Sequence, residues 1–152
     1  MLKLTLPGFD YQVKKQQDTW MIFDVIRKKY VVLTPEEWVR QHVVHYLLAE
    51  KACPPALIAV EREIDLYGLR RRFDIVVFDR QAAPWLLVEC KAPSVTLSQK
   101  VFDQVFRYNL TLGASYVAVT NGVQHYCARP DEKEKICLLN DFPRFDENIK
   151  LH

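Results

Sequence analysis

The sequence is poor in the residues that build irregular or cross-linked chains. Only four of its 152 residues are glycine and eight are proline, which excludes a collagen-like or linker-dominated chain. Its four cysteines, Cys53, Cys90, Cys127 and Cys137, form no CxxC pair, so free thiols in a reducing compartment are expected rather than disulfides. No apolar run approaches the roughly 18 residues of a membrane-spanning helix, and no membrane span is expected. The stretch from Met1 to Gly8 lacks a long apolar segment and a small-residue cleavage site, which predicts a cytoplasmic protein. No GxxxxGK[ST] or GxGxxG occurs, excluding a nucleotide-driven motor within this chain, and no internal repeat is visible.

What is present is an ordinary globular composition. Apolar residues make up 49% and charged residues 26%, enough for one domain with its own core. The net charge of +2 divides into +4 over residues 1–130 and −2 over residues 131–152. Basic clusters stand at Lys14-Lys15, Arg27-Lys28-Lys29 and Arg70-Arg71-Arg72. Such a bias fits nucleic-acid contact and an ordinary solvated surface equally well.

Hydrophobic patterning predicts an α/β (α+β) domain around a mixed sheet. Residues 1–33 read as a β arm, with strands over Trp20–Ile26 and Tyr30–Leu33. Thr34-Pro35-Glu36-Glu37 starts a helix with Thr34 as its cap, running to about Lys51 with Val39, Val43, Tyr46 and Leu47 on one stripe. Strands are expected over Leu57–Ile64, over Arg70–Phe78 with Phe73, Ile75 and Val77 sharing a face, and over Trp85–Cys90. A second helix from about Leu97 to Leu112 closes at Gly113. Tyr116–Thr120 and Val123–Cys127 then flank the hairpin signal Asn121-Gly122. The core domain spans 34–139, and 140–152 reads as a loosely packed tail.

The chemistry concentrates between Asp74 and Lys91. Asp74 interrupts a strand that is otherwise apolar, and fifteen positions later Glu89-Cys90-Lys91 ends the next one. Side chains at i and i+2 share a face of a strand, and a hairpin closing near Arg80–Ala83 brings Glu89 opposite the region of Asp74. Two converging carboxylates at the end of apolar strands are costly unless compensated. Mg²⁺ supplies that compensation, taking Asp74, Glu89, the Cys90 carbonyl and waters, with Mn²⁺ as an alternative. Lys91 would offset charge on a phosphate. A lone Glu-x-Lys is a weak signal; the apolar strand and the upstream acid give it weight. Gln104 and Tyr108, at i and i+4 on the second helix, share a face.

These residues resemble the PD-(D/E)xK nuclease superfamily, whose core order is α-β-β-β-α-β. Within it they look most like the N-terminal nuclease domain of type I restriction enzyme R subunits and its stand-alone relatives. The resemblance is carried by Leu33 to Gln41, Arg72-Phe73-Asp74-Ile75-Val76, Leu87-Val88-Glu89-Cys90-Lys91-Ala92-Pro93, Gln104-Val105-Phe106-Arg107-Tyr108 and Thr120-Asn121-Gly122. Phe73 stands where the superfamily's name has proline. The resemblance implies a restriction-endonuclease-like fold and a Mg²⁺-dependent deoxyribonuclease, with Asp74 and Glu89 as metal ligands and Lys91 as the catalytic lysine. Gln104 and Tyr108 match a QxxxY motif, Gln104 in the catalytic set and Tyr108 toward DNA. A glutamate from the first helix joins such sites. Glu36 and Glu37 both qualify, and Glu36, on the Val39/Val43 face, is favoured over Glu37, which sits at a capping-box position. The implied partners are DNA, a second copy of the chain for cutting both strands, and a protein supplying motor or specificity functions.

Other features read as structural. His42 and His45 lack a zinc-completing set, and His125 and Cys127 read as packing residues. Cys90 should face the core, opposite Glu89 and Lys91, which weakens a cysteine-nucleophile reading. Arg70 and Arg72 either grip backbone phosphates or cap a solvated hairpin. The rival to an enzyme is a non-catalytic module that binds nucleic acid or protein with the same fold.

Overall fold

Short β-branched and aromatic runs build the sheets of the computed structural model, which describes residues 2–131, 133 and 135–145. The arm is an antiparallel sheet of β1 (Val13–Gln16), β2 (Thr19–Asp24) and β3 (Lys29–Val32), in that order. The first of these carries a single apolar residue, Val13, and gave no signal in the sequence; it exists through its pairing with β2.

Helix α1 (Pro35–Glu50) begins as its sequence predicts, with Thr34 Oγ1 accepting the Glu37 N–H at 3.0 Å. Strands β4 (Ile58–Val60), β5 (Glu63–Leu66), β6 (Leu69–Arg72), β7 (Ile75–Phe78) and β8 (Pro84–Cys90) follow. Then come α2 (Gln99–Leu112), β9 (Tyr116–Thr120), β10 (His125–Pro130) and β11 (Ile136–Leu139). The central sheet has the order β11-β10-β9-β8-β7-β4, and only β8 and β9 run parallel. A parallel pair needs a crossover, and α2 provides it. Among the described residues no helix is long and apolar enough to cross a membrane.

Two expected strands are each broken in two. Leu57–Ile64 divides at Glu61, whose φ of 52° is left-handed, and Arg70–Phe78 divides at Phe73-Asp74. Glu61 N–H donates to the Asp74 carbonyl at 2.9 Å across the break, and β5 and β6 leave the main sheet as a separate hairpin. The break also changes the facing. Phe73 packs with Val76 on the α2 side, whereas Ile75 and Val77 pack on the α1 side, so the three do not share a face. The Asn121-Gly122 turn differs too: Thr120 pairs with His125, leaving a four-residue loop that includes Val123 and Gln124. Asn121 Oδ1 accepts from Val123 and Gln124 N–H at 2.9 and 2.8 Å. Gly122 has φ 87°, and a Cβ there would lie 2.8 Å from a methyl of Leu4.

The sheet lies between the two helices. Val39, Val43 and Leu47 of α1 meet Ile58, Ile75, Val77, Leu86 and Val88 on one face; Val105 and Leu112 of α2 meet Val76, Leu87, Val117 and Val119 on the other. Phe142 and Phe145 are buried, the latter 5.0 Å from Trp85 between ring centroids, so these two side chains of the expected tail pack into the core. Ile149 and Leu151 of that expected tail lie outside the described residues.

Candidate active site

The register of β7 and β8 sets the site. Ile75 pairs with Val88, which places Asp74 and Glu89 at the same end of the two strands. Val88 and Cys90 belong to the cluster facing α1, so the alternating Glu89 and Lys91 point to the opposite side of β8. Cys90 is buried there, and burial pushes its thiol well up. Lys91 Nζ lies 3.3 Å from Glu89 Oε2.

Asp74 is buried and held twice: Oδ1 accepts from Arg40 Nη2 at 2.8 Å, and Oδ2 from the Cys90 backbone N–H at 2.9 Å. Glu89 is pushed up to about 8, by burial first and then by the charge and hydrogen bonding of Asp74, with Lys91 pulling the other way. Glu36, at the start of α1, is raised by partial burial and by Asp74, against Arg40 and Lys91. Glu61, from the break after β4, is likewise raised by burial and by Asp74.

The two candidate glutamates of α1 differ sharply. Glu37 is buried and engaged by Arg27 Nη2 and Gln41 Nε2, both at 2.9 Å, and by Arg40 Nη1. Glu36 has a side chain 47% exposed and, among the described residues, one ion-pair partner, Arg40, at 3.0 Å. Gln104 and Tyr108 bind each other, Nε2 to the hydroxyl at 2.9 Å, with the Arg71 guanidinium 4.1 Å from the Tyr108 ring centroid. Among the described residues no hydrogen bond joins that pair to Asp74, Glu89 or Lys91. Arg70 Nη1 lies 3.4 Å from Glu63 and Arg72 Nη1 3.8 Å from Glu61, so each arginine faces a carboxylate.

The residues present fit a divalent cation. Burial and the Asp74 carboxylate push Glu89 toward its neutral form, which a further positive neighbour would oppose, and each Asp74 oxygen offers two lone pairs against one guanidinium or backbone donor. Among the described residues no set of three His, Cys, Asp or Glu side chains is arranged to hold a metal, so a cation here would draw on two carboxylates, the Cys90 carbonyl and water. A cavity of about 740 Å³ is lined by Pro35 and Pro93, near Glu36 and Lys91 in sequence, but Leu2, Tyr11, Trp20 and Trp38 make it apolar, with no carboxylate or amine in its lining.

The residues that sequence reading overlooked are Arg40 and Glu61. Arg40 carried a faint signal, standing three and four positions after Glu37 and Glu36 on a helix. Glu61 carried none, since only the break at Asp74 brings it near. The histidines are packing residues: His42 sits 4.5 Å from Trp38 with a ring nitrogen 2.8 Å from the Trp38 carbonyl, and His45 stacks on Phe9 at 4.0 Å.

A mixed sheet between two helices, with carboxylates and a lysine where adjacent strands end, defines a restriction-endonuclease-like fold. The chain belongs to the family Type I restriction enzyme R protein N terminus (HSDR_N), whose model matches residues 35–143. It is similar in structure to a fragment described as an HsdR subunit of a type I restriction enzyme from Vibrio vulnificus YJ016. The match has a TM-score of 0.51 and 23% identity, and covers 74% of this chain and 24% of that one. The chain therefore spans about a quarter of that relative's length. No curated protein matches it.

Proposed function

We propose that this chain is a Mg²⁺-dependent DNA nuclease module. The observation that carries the reading is the convergence of Asp74, Glu89 and Lys91 at one end of β7 and β8. Asp74 and Glu89 would hold the ion, which when bound acidifies a water and polarises a phosphoryl oxygen. Asp74 is fixed by Arg40 and the Cys90 N–H, so it presents its remaining lone pairs without reorganisation. Lys91, restrained by Glu89, is in place to neutralise charge growing on the attacked phosphate. Glu36 is the favoured helix glutamate, because Glu37 is consumed by two arginines and a glutamine. Gln104 would serve in the catalytic set and Tyr108 toward DNA, and their mutual hydrogen bond would make them act as a pair.

Family membership supports DNA as the substrate and a type I complex as the setting, where other chains would supply motor and specificity functions. Cutting both strands would require a second copy of the site, from another protomer or a second binding event.

One observation favours the non-catalytic rival: Arg40 already neutralises Asp74, as a site closed by its own cation would. Plasmid cleavage with Mg²⁺, Mn²⁺ and EDTA decides between them. Lys91→Ala is expected to lower metal-dependent cleavage by roughly 10²–10³-fold while leaving the melting temperature unchanged. Full cleavage by that variant removes Lys91 from the mechanism. DNA binding with no metal-dependent turnover establishes the rival.

A further inference from the structure

Arg40 is 5% exposed, and its guanidinium is the meeting point of four carboxylates. Nη2 lies 2.8 Å from Asp74 Oδ1, 2.9 Å from Glu61 Oε1 and 3.0 Å from Glu36 Oε1, while Nη1 donates to Glu37. A terminal guanidinium nitrogen carries only two hydrogens, so these three acceptors on Nη2 outnumber its donors. Nε is meanwhile buried with no partner among the described residues, so the side chain is oriented to serve its outer nitrogens at the expense of the inner one.

The charges are as unequal as the hydrogens. Glu37 also pairs with Arg27, 2.9 Å away, which itself holds Asp24 at 2.6 Å. That leaves Arg40 as the only guanidinium within hydrogen-bonding distance of Glu36, Glu61 and Asp74 among the described residues; Arg72 stands 3.8 Å from Glu61. Buried and half-buried carboxylates so gathered would repel one another without it.

We propose that Arg40 is a positioning residue, a built-in counter-ion that fixes Asp74 and Glu61 before a divalent cation arrives and leaves Glu36, the most exposed of the three, to turn toward that cation. This rests on the reading of Asp74 and Glu89 as its ligands. The same guanidinium also ties the arm to the site, through Glu37 and Arg27.

Thermal melting of the wild type, Arg40→Gln and Arg40→Lys in EDTA, Mg²⁺ and Ca²⁺ tests this. The wild type should gain only slightly from either cation, because Arg40 already answers its carboxylates. In EDTA, Arg40→Gln should melt roughly 10 °C lower. Either cation should then restore about half of that loss or more, by taking the guanidinium's place among the carboxylates. Arg40→Lys, which keeps the charge but not the fork, should fall between and respond less. A Gln variant that folds only with a cation present supports the proposal equally. An unchanged melting temperature for Arg40→Gln in EDTA, or a loss that neither cation recovers in either variant, overturns it. The melts need no turnover. A wild type that never cleaves DNA removes the nuclease reading alone, and an active wild type with cation-insensitive variants removes the Arg40 role alone.

Discussion

The two helices cover opposite faces of one sheet by different means. In α2 the buried positions Val105, Asn109 and Leu112 form a stripe, while Gln104, Arg107 and Leu110 face out. In α1 every residue from Glu37 to Val44 is buried, and four of them, Glu37, Arg40, Gln41 and His42, are polar. The α2 pattern is that of a helix whose inner face covers apolar strands. The α1 pattern is affordable only because its inward charges are answered: Glu37 by two arginines, and Arg40 by Glu36, Glu61 and Asp74. A helix that serves a site buries its charges, and gives up the clean apolar stripe in doing so.

Substitutions that remove those answers should expose the contrast most strongly. Glu37→Ala removes the buried carboxylate that Arg27, Arg40 and Gln41 share and should cost about 3–5 kcal/mol, read as a melting temperature roughly 10 °C lower. Gln104→Ala, its exposed counterpart on α2, should stay within about 0.5 kcal/mol of the wild type. Equal losses from the two would mean that α1 is not the polar-anchored helix described above.

Apolar truncation sharpens the same comparison at lower cost. Leu47→Ala, fully buried on α1, is expected to lose about 2–5 kcal/mol in urea unfolding. Leu110→Ala, 75% exposed on α2, should lose no more than about 0.5 kcal/mol. A Leu110 effect of the Leu47 size would show that the outer face of α2 is covered in solution. Tyr108→Phe leaves the ring beneath Arg71 but removes the Gln104 partner, and should slow cleavage with an unmoved melting temperature; a shift in melting with full activity would assign the pair to the fold.

A pH dependence is expected at Glu89. Glu89 titrates near 8 in the folded chain against an ordinary value of 4.5, so between these limits the folded state binds the extra proton. Its contribution to stability is therefore fully present below about 4.5 and is lost as pH rises through about 8. Mg²⁺ competes with the same proton, so its affinity should tighten from pH 6 toward about 8. Calorimetric titration showing pH-independent Mg²⁺ affinity would detach Glu89 from the cation.

Much of this was legible in the sequence where local rules act alone. The Thr34 cap, the Gly113 terminus with φ 77° and the amphipathic α2 stripe depend on neighbours a few residues away. The hidden features depend on distant partners. Strand β1 is held by β2, and β11 presents Leu138 at 73% exposure on an open edge, so neither shows an apolar alternation. The break at Glu61 and Asp74 is likewise a matter of two strands: Asp74 interrupts an apolar run, but nothing near Glu61 shows that the two meet.

The chain alone points to Asp74, Glu89 and Lys91 lying on adjacent strands of one hairpin, through the two-residue period of a strand and a short loop. That Asp74 stands at a strand end was decided by the break before β7. Which glutamate of α1 lies open, and which cation holds Asp74 in place, was decided only by the folded molecule. Helix position makes Glu36 and Glu37 near equals; it took a hairpin of the arm delivering Arg27, and a broken strand delivering Glu61, to bury one and leave the other exposed.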